Sequence, residues 1–292
     1  MTDIVSLDVT RWRATQPPEV QQVAIRALES GSVLVLPKLP FELLDEERRF
    51  LSPEWSNGRS KNISLDGAAL KGARGDPEDL AALAQMIARF ATCAADLVSA
   101  LFPRYAPYVK RARTSYRPQP AVGRALSWRK DDSLLHIDAF PSRPNCGERI
   151  LRVFCNMNPD ADRVWRVGES FAAMARRFLP RIRRQLPGTA QLLAGLHVTK
   201  GRRSEYDHLM LGLHDCAKAD REYQRSCAQH VVHFSPGTTW LCFSDQVMHA
   251  AMSGQHMLEQ TIHLPIVALY EPGSSPLATL ERLCGRQLAP VH

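Results

Sequence analysis

Residues 134–144 read LLHIDAFPSRP, and shortly afterwards residues 149–159 read RILRVFCNMNP. The first stretch closes a short apolar run with the triplet His136-Ile137-Asp138. In a β strand, residues i and i+2 point to the same face, so an imidazole and a carboxylate at this spacing can converge on one ion. The second stretch has the β-branched and aromatic content of a strand. Working outward, similar short runs occur at 112–117, 163–167, 191–199, 230–234, 238–243, 246–252 and 257–269, separated by Pro, Gly and Asn. Together these runs predict a mainly β sandwich or barrel with helices packed outside.

The helices are expected in the flanks and in two interruptions. Residues 18–31 have helical spacing and stop at Gly31, and 32–36 is a β-rich run halted by Pro37. Residues 41–51 and 77–101 read as helices, as do 169–186 and the insertion 204–228. This patterning predicts one domain over 1–292. Within it lie a mostly helical flank (1–110), a β core (111–270) holding the insertion 204–228, and a tail (271–292).

Composition narrows the function classes. Of the 292 residues, 45% are apolar and 23% charged, which excludes wholesale disorder. No 18-residue window is free of charge and apolar throughout, so no membrane-spanning helix is expected. The first thirty residues have no apolar h-region, so no secretory signal is expected. Seven cysteines without a C-x-x-C pair suit reduced thiols and a cytoplasmic location. The net charge of +7 raises nucleic acid as a partner, but no RRM, KH or HTH pattern is present. The oligomeric state is not specified.

A third ligand would complete a 2-His-1-carboxylate triad, which leaves positions open on Fe(II). His249, in FSDQVMHAAMSGQH (243–256), follows the turn Ser235-Pro236-Gly237 and the run 238–243. It is the first choice, with His256 and His263 as rivals. This order of elements resembles the double-stranded β-helix (jelly-roll, cupin-like) iron oxygenases. Many of those anchor the distal carboxylate of 2-oxoglutarate on an Arg about ten residues past the last His, where this chain has Glu259 and Gln260. Arg152, sixteen residues after His136, fits the alternative anchor on the strand after H-x-D. Arg117 is a second candidate and Gln260 a neutral helper. A zinc site from His208, His214, Cys216 and Cys227 is the competing metal reading, but its spacing matches no common structural zinc pattern.

Beyond the layout, several stretches resemble the Kdo 3-hydroxylase family of Gram-negative bacteria. They are SPEWSNGRSKNISLD (52–66), HIDAFPSRP (136–144), RILRVFCNMNP (149–159), RVWRVGE (163–169), SEYDHLMLGLHD (204–215) and FSDQVMHAAMSGQHMLEQTIHLP (243–265). The resemblance implies a jelly-roll dioxygenase that uses Fe(II), 2-oxoglutarate and O2 on the Kdo sugar of the lipopolysaccharide inner core. It implies His136, Asp138 and His249 as iron ligands and favours Arg152 and Arg117 as co-substrate contacts. Trp55, Arg59, Lys61, Asn62, His208 and His214 are the candidate substrate contacts. Arg clusters at 111–117, 124–130 and 176–184 suit an anionic Kdo-lipid A. Segment 169–186 sets apolar residues against five Arg, a pattern for a helix packed on the barrel with a solvated basic face or, alternatively, for peripheral contact with the anionic cytoplasmic leaflet of the inner membrane. The alternatives are an iron oxygenase of the same fold acting on another lipid or peptide, and a non-catalytic binder of anionic glycans.

Overall fold

The structure is a computed structural model that describes residues 1–121, 127–186 and 188–288. Its first half runs β1 (Ile4–Ser6), α1 (Pro18–Glu29), β2 (Val33–Leu36), β3 (Ile63–Asp66), β4 (Ala69–Lys71), α2 (Pro77–Leu101) and β5 (Lys110–Arg117). Next come β6 (Arg149–Asn156), β7 (Arg163–Val167), α3 (Phe171–Phe178), α4 (Thr189–Gly195), α5 (Glu205–Ala219) and α6 (Arg221–Ser226). The chain finishes with β8 (His230–Phe234), β9 (Thr239–Phe243), β10 (His249–Ser253), β11 (Met257–Leu264) and α7 (Pro276–Cys284).

Eight strands form the major sheet in the order β1-β2-β9-β6-β11-β5-β3-β4, and β10-β7-β8 form a minor one. All pairs except β1–β2 are antiparallel. This is the expected jelly-roll with helices outside. Period-two alternation sorts the central strands. Leu151, Val153 and Cys155 of β6, Leu258 and Ile262 of β11, and Leu241 and Phe243 of β9 face a large apolar core. That core is closed by α2 through Leu83, Met86, Ile87, Phe90, Leu97 and Leu101. The other face carries Phe154, Trp240, Cys242 and Met257 against Trp165, Val167 and Ala251 of the minor sheet.

Several expectations are corrected. The flank 1–110 also contributes strands: β2 pairs with β9 and β3 with β5, extending the major sheet at both edges. Residues 191–199 are not a strand: 189–195 are α4, entered from Gly188 in the left-handed region (φ 81°) and built from good helix formers. Residues 134–138 make only one bridge, His136 to His249. The amide and carbonyl of Leu135 are taken by the Gln224 side chain (2.8 and 2.9 Å) instead of a neighbouring strand. Residues 41–51 reduce to a 3-10 turn, Asp45–Phe50.

The expected helix 169–186 ends at Phe178, two residues before Pro180, whose ring and missing N–H stop an α-helix. Its Phe171, Met174 and Phe178 are buried with Tyr206, Met210 and Tyr223, so this apolar face already has a partner. The helix α2 is long and apolar enough to cross a membrane by length and composition alone, although Arg89 and Asp96 interrupt its apolar run. It is the helix that closes the large core. Insertion 204–228 is helical as expected: Ser204 and Asp207 form a capping box for α5, and Asp220 caps α6. Part of the 124–130 cluster, including Arg124, and the last four residues of the tail lie outside the described residues.

Candidate active site

His136 sits on the edge of the minor sheet because its N–H donates to the His249 carbonyl (3.0 Å) and His249 N–H returns the bond (2.9 Å). Asp138, two residues on, is held by its own N–H to the Ser244 carbonyl (2.8 Å). Each of the three side chains offers a ligand atom within 4.8 Å of the other two. Nδ1 of His136 lies 2.7 Å from the Leu134 carbonyl, and Nδ1 of His249 lies 2.8 Å from that of Val247. A carbonyl only accepts, so both Nδ1 atoms carry the proton and both Nε2 atoms keep a lone pair. Burial holds both imidazoles below their usual range, His136 well below, hence neutral. Burial also opposes ionisation of Asp138, but the Arg152 guanidinium outweighs it and keeps the carboxyl well below the usual range. Two neutral imidazoles and one carboxylate suit a divalent first-row metal.

The rival ligands lie elsewhere. Nδ1 of His256 meets the Tyr116 hydroxyl (3.1 Å), and His263 packs at 6.5 Å from the Phe140 ring. Among the described residues, no second metal-binding group forms, and His208, His214, Cys216 and Cys227 are not gathered.

The triad opens onto a cavity of about 170 Å³. Four cations (Lys61, Arg117, Arg152, Arg163) and three carboxylates (Asp132, Asp138, Glu259) line it, with Asn62, Phe154, Trp165, Ala251 and Met257. Arg152 donates to Glu259 Oε1 (2.8 Å), and its Nε lies 3.0 Å from Asp138 Oδ2 in an ion pair without hydrogen-bond alignment. Arg117 bridges Glu259 (2.9 Å) and Asp132 (3.1 Å), and Lys61 also pairs with Asp132. Burial opposes the Arg117 charge, yet Glu259 and Asp132 raise it above its usual value. Arg163 is different. It is 1% exposed and, among the described residues, has no carboxylate partner; burial, then repulsion from Arg117, pushes it down to about 9. It remains a cation at neutral pH, and its guanidinium donates to the Gly254 carbonyl (2.9 Å). Gly254 makes that approach possible: at φ 104° a Cβ there would stand 2.9 Å from the Arg163 Cα.

The Nε atoms of Arg117, Arg152 and Arg163 are all buried without a hydrogen-bond partner. Such orphaned donors are costly unless something fills them. A small dianion beside a metal fits this wall, and a divalent cation with a dianion leaves the cavity's charge unchanged.

Other sequence candidates separate in space. Lys61 and Asn62 line the cavity, and the His214 ring stands edge-on to His136 at 5.6 Å. Gln260 faces away: period-two alternation turns it into the opposite face, where it accepts from Thr114 Oγ1 (2.6 Å). Trp55 is packed on Phe50 with its indole N–H on the Arg49 carbonyl (2.8 Å), so its ring is not offered to a sugar. His208 meets the Arg183 carbonyl (2.8 Å) outside the cavity, and Arg59 is exposed beyond it. Sequence reasoning missed Arg163, Trp165, Asp132 and Glu259. The alternation in Arg163-Val-Trp165 was a usable signal, whereas Glu259 was read only as a missing anchor. Trp165 stacks on the His249 ring at 5.1 Å and fixes it from behind.

Comparison with known proteins agrees with this geometry. A model of the 3-deoxy-D-manno-oct-2-ulosonic acid (Kdo) hydroxylase family matches residues 11–287. The crystal structure of the Kdo hydroxylase KdoO, a non-heme Fe(II) alpha-ketoglutarate dependent dioxygenase, in complex with alpha-ketoglutarate and Fe(III), is 48% identical. It covers 99% of this chain and 98% of that one, with a TM-score of 0.94. The cobalt(II) complex of KdoO is 49% identical over 98% of this chain and 97% of that one, at TM-score 0.95. The corresponding apo structure gives 48%, the same coverages and 0.95. Curated protein sequences gave no match. A match across nearly the whole length, joined to a His-Asp-His cluster beside three guanidinium groups whose buried Nε atoms lack a partner, places the chain in the Kdo hydroxylase family.

Proposed function

We propose that the protein hydroxylates C3 of Kdo in Kdo-lipid A, consuming 2-oxoglutarate and O2 and releasing succinate and CO2. The observation that carries this is the triad with mutually close donor atoms opening onto a wall of buried arginines. His136, Asp138 and His249 would hold Fe(II), and Arg152, Arg117 and Arg163 would receive the carboxylates of 2-oxoglutarate. Together, the bound metal and co-substrate supply oxidative decarboxylation, in which one oxygen atom of O2 goes to succinate and the other to the sugar.

The chain's own residues orient and exclude. The Leu134 and Val247 carbonyls fix the imidazole tautomers, and Trp165 keeps His249 from rotating. Phe154, Trp165 and Met257 narrow the cavity and keep bulk water from the reacting centre. Lys61 and Asn62 stand at the same cavity, and the buried Asn62 Oδ1 has no hydrogen-bond partner, as an acceptor for a sugar hydroxyl should. An open groove with Arg143, Lys200 and Arg202 adds positive charge suited to an anionic glycolipid. Seven unpaired cysteines suit a reducing compartment, which supports a place on the cytoplasmic side. Incubating the protein with Fe(II), 2-oxoglutarate and Kdo-lipid A should release succinate and add one oxygen to Kdo by mass spectrometry. Succinate release coupled instead to another lipid or peptide, or none with any of them, would overturn this reading.

A further inference from the structure

The positive charge of this chain is concentrated. Residues 170–204 hold eight of the 37 Lys and Arg residues and none of the 30 Asp and Glu. The other 257 residues therefore carry 29 basic and 30 acidic groups, close to neutrality. All of the chain's excess charge belongs to one stretch.

The same stretch has an apolar anomaly. Leu186, Leu192, Leu196 and Val198 are 74, 61, 65 and 56% exposed. Elsewhere among the described residues, only Met1, Val231 and Val267 are large apolar side chains more than half exposed, and they are far apart in sequence. Leu192 lies on α4 and Leu196 caps it one turn later, so the two project from one face. In the same stretch Arg183, Arg184, Lys200 and Arg202 are exposed and, among the described residues, make no ion pair. Arg184, Leu186 and Arg202 share an open groove with Arg286, whose charge Glu205 already neutralises. The stretch is also tied to the site. Lys200 N–H donates to the Ser142 carbonyl (2.9 Å) and Arg203 to that of Pro141 (2.6 Å). Pro141 is three residues from Asp138, about 10 Å of chain at most.

Exposed leucines interspersed with unpaired cations are the chemistry of an interfacial segment: the apolar groups enter the headgroup–acyl boundary while the cations meet lipid phosphates. We propose that Leu186, Leu192, Leu196 and Val198, with Arg183, Arg184, Lys200 and Arg202, form a membrane-docking surface for an anionic phospholipid leaflet. It replaces the α3 face, whose apolar side is spent on the core. The proposal rests on the reading that the substrate is lipid-anchored, and it explains how a site with no lipid-sized cavity would reach one.

The test is sedimentation of the full chain with phosphatidylcholine vesicles, with and without phosphatidylglycerol. The protein should sediment only with the anionic vesicles and be released at about 0.5 M salt, where the Debye length falls to ~4 Å. Leu192→Asp/Leu196→Asp should weaken partitioning at least about tenfold, and so should Arg183→Gln/Arg184→Gln/Lys200→Gln/Arg202→Gln. Val231→Asp/Val267→Asp, equally exposed elsewhere, should bind as wild type. All variants should keep their circular dichroism, and the leucine and valine variants should also keep their rate on detergent-solubilised Kdo-lipid A. Wild-type protein that ignores anionic vesicles, or a leucine variant that binds as wild type, overturns the docking surface. Vesicle binding without any turnover in detergent would instead strike the substrate reading and leave the surface standing.

Discussion

Strand β6 has two neighbours of opposite kinds, one residue apart. Leu151 and Val153 enter the apolar core under α2, whereas Arg152 and Phe154 enter the cavity. Strand β11 repeats the division, with Leu258 and Ile262 on one side and Met257 and Glu259 on the other. On the helix-covered face the buried polar side chain of Gln260 is satisfied by Thr114 and by the Ala112 and Thr261 carbonyls. On the cavity face three guanidinium Nε atoms are not. The sheet thus separates the tasks: the satisfied face supplies stability, and the unsatisfied face waits for ligands.

The largest effects should fall on opposite sides of that division. Replacing His136 with Ala should abolish succinate release while moving the melting temperature little, because the ligand sits at a sheet edge and not in the packed core. Chelating the metal should likewise leave the far-ultraviolet circular dichroism intact. Leu151→Ala, buried on the other face, should cost about 2–5 kcal/mol of stability and leave the apparent KM for 2-oxoglutarate unchanged below its melting temperature. Denaturant titration beside steady-state kinetics reads both. A His136→Ala variant that unfolds, or a Leu151→Ala variant that is stable but inactive, would break the separation.

Next in size are two arginines that differ in their partners. Arg152→Met leaves the mostly buried Asp138 without its cation and Glu259 with Arg117 alone, and one-sided loss of a buried pair costs about 3–5 kcal/mol. Stability should fall and the 2-oxoglutarate KM rise by well over tenfold. Arg163 has no carboxylate to strand, so Arg163→Met should hold or raise the stability of the ligand-free protein while still raising that KM. Saturating 2-oxoglutarate stabilises by about 2.7 kcal/mol at a hundred times Kd. In a thermal-shift assay this gain should shrink in both variants. Equal losses of ligand-free stability would show that Arg163 has a partner role like that of Arg152.

The triad and the two strand arginines were legible because period two and a sheet edge are visible in sequence: H-x-D demands one face, and Arg152 follows in the next strand. The core strands 149–156, 163–167 and 230–234 were legible for the same reason. What failed depended on long-range partners. Nothing local says that Gln224 will occupy the Leu135 backbone, that Phe171 and Phe178 will meet Tyr206 and Tyr223, or that Asp132 will neutralise Arg117 and Lys61. The 191–199 run was misread because an exposed helix with outward leucines looks, residue by residue, like a buried strand. Glu259 was misread because its meaning depends on two arginines brought by other strands.

Glu259 therefore offers the smallest and sharpest test. Its two oxygens receive Arg152 (2.8 Å) and Arg117 (2.9 Å), so it braces both anchors side by side, and it also occupies donors that a co-substrate carboxylate could use. Glu259→Gln keeps an acceptor for one arginine and turns a donor toward the other. It also changes the lining from four cations against three carboxylates to four against two, which draws a dianion more strongly. Lost bracing and gained attraction oppose each other. The expected change in the 2-oxoglutarate KM is below tenfold, with a stability loss of about 1.5–3 kcal/mol from the missing charged hydrogen bond. A KM increase as large as that of Arg152→Met would mean that the three groups act as one unit and that the brace is inseparable from the anchor. A fall in KM would mean that the carboxylate chiefly competes with the co-substrate, and that the unsatisfied face is restrained by its own acid.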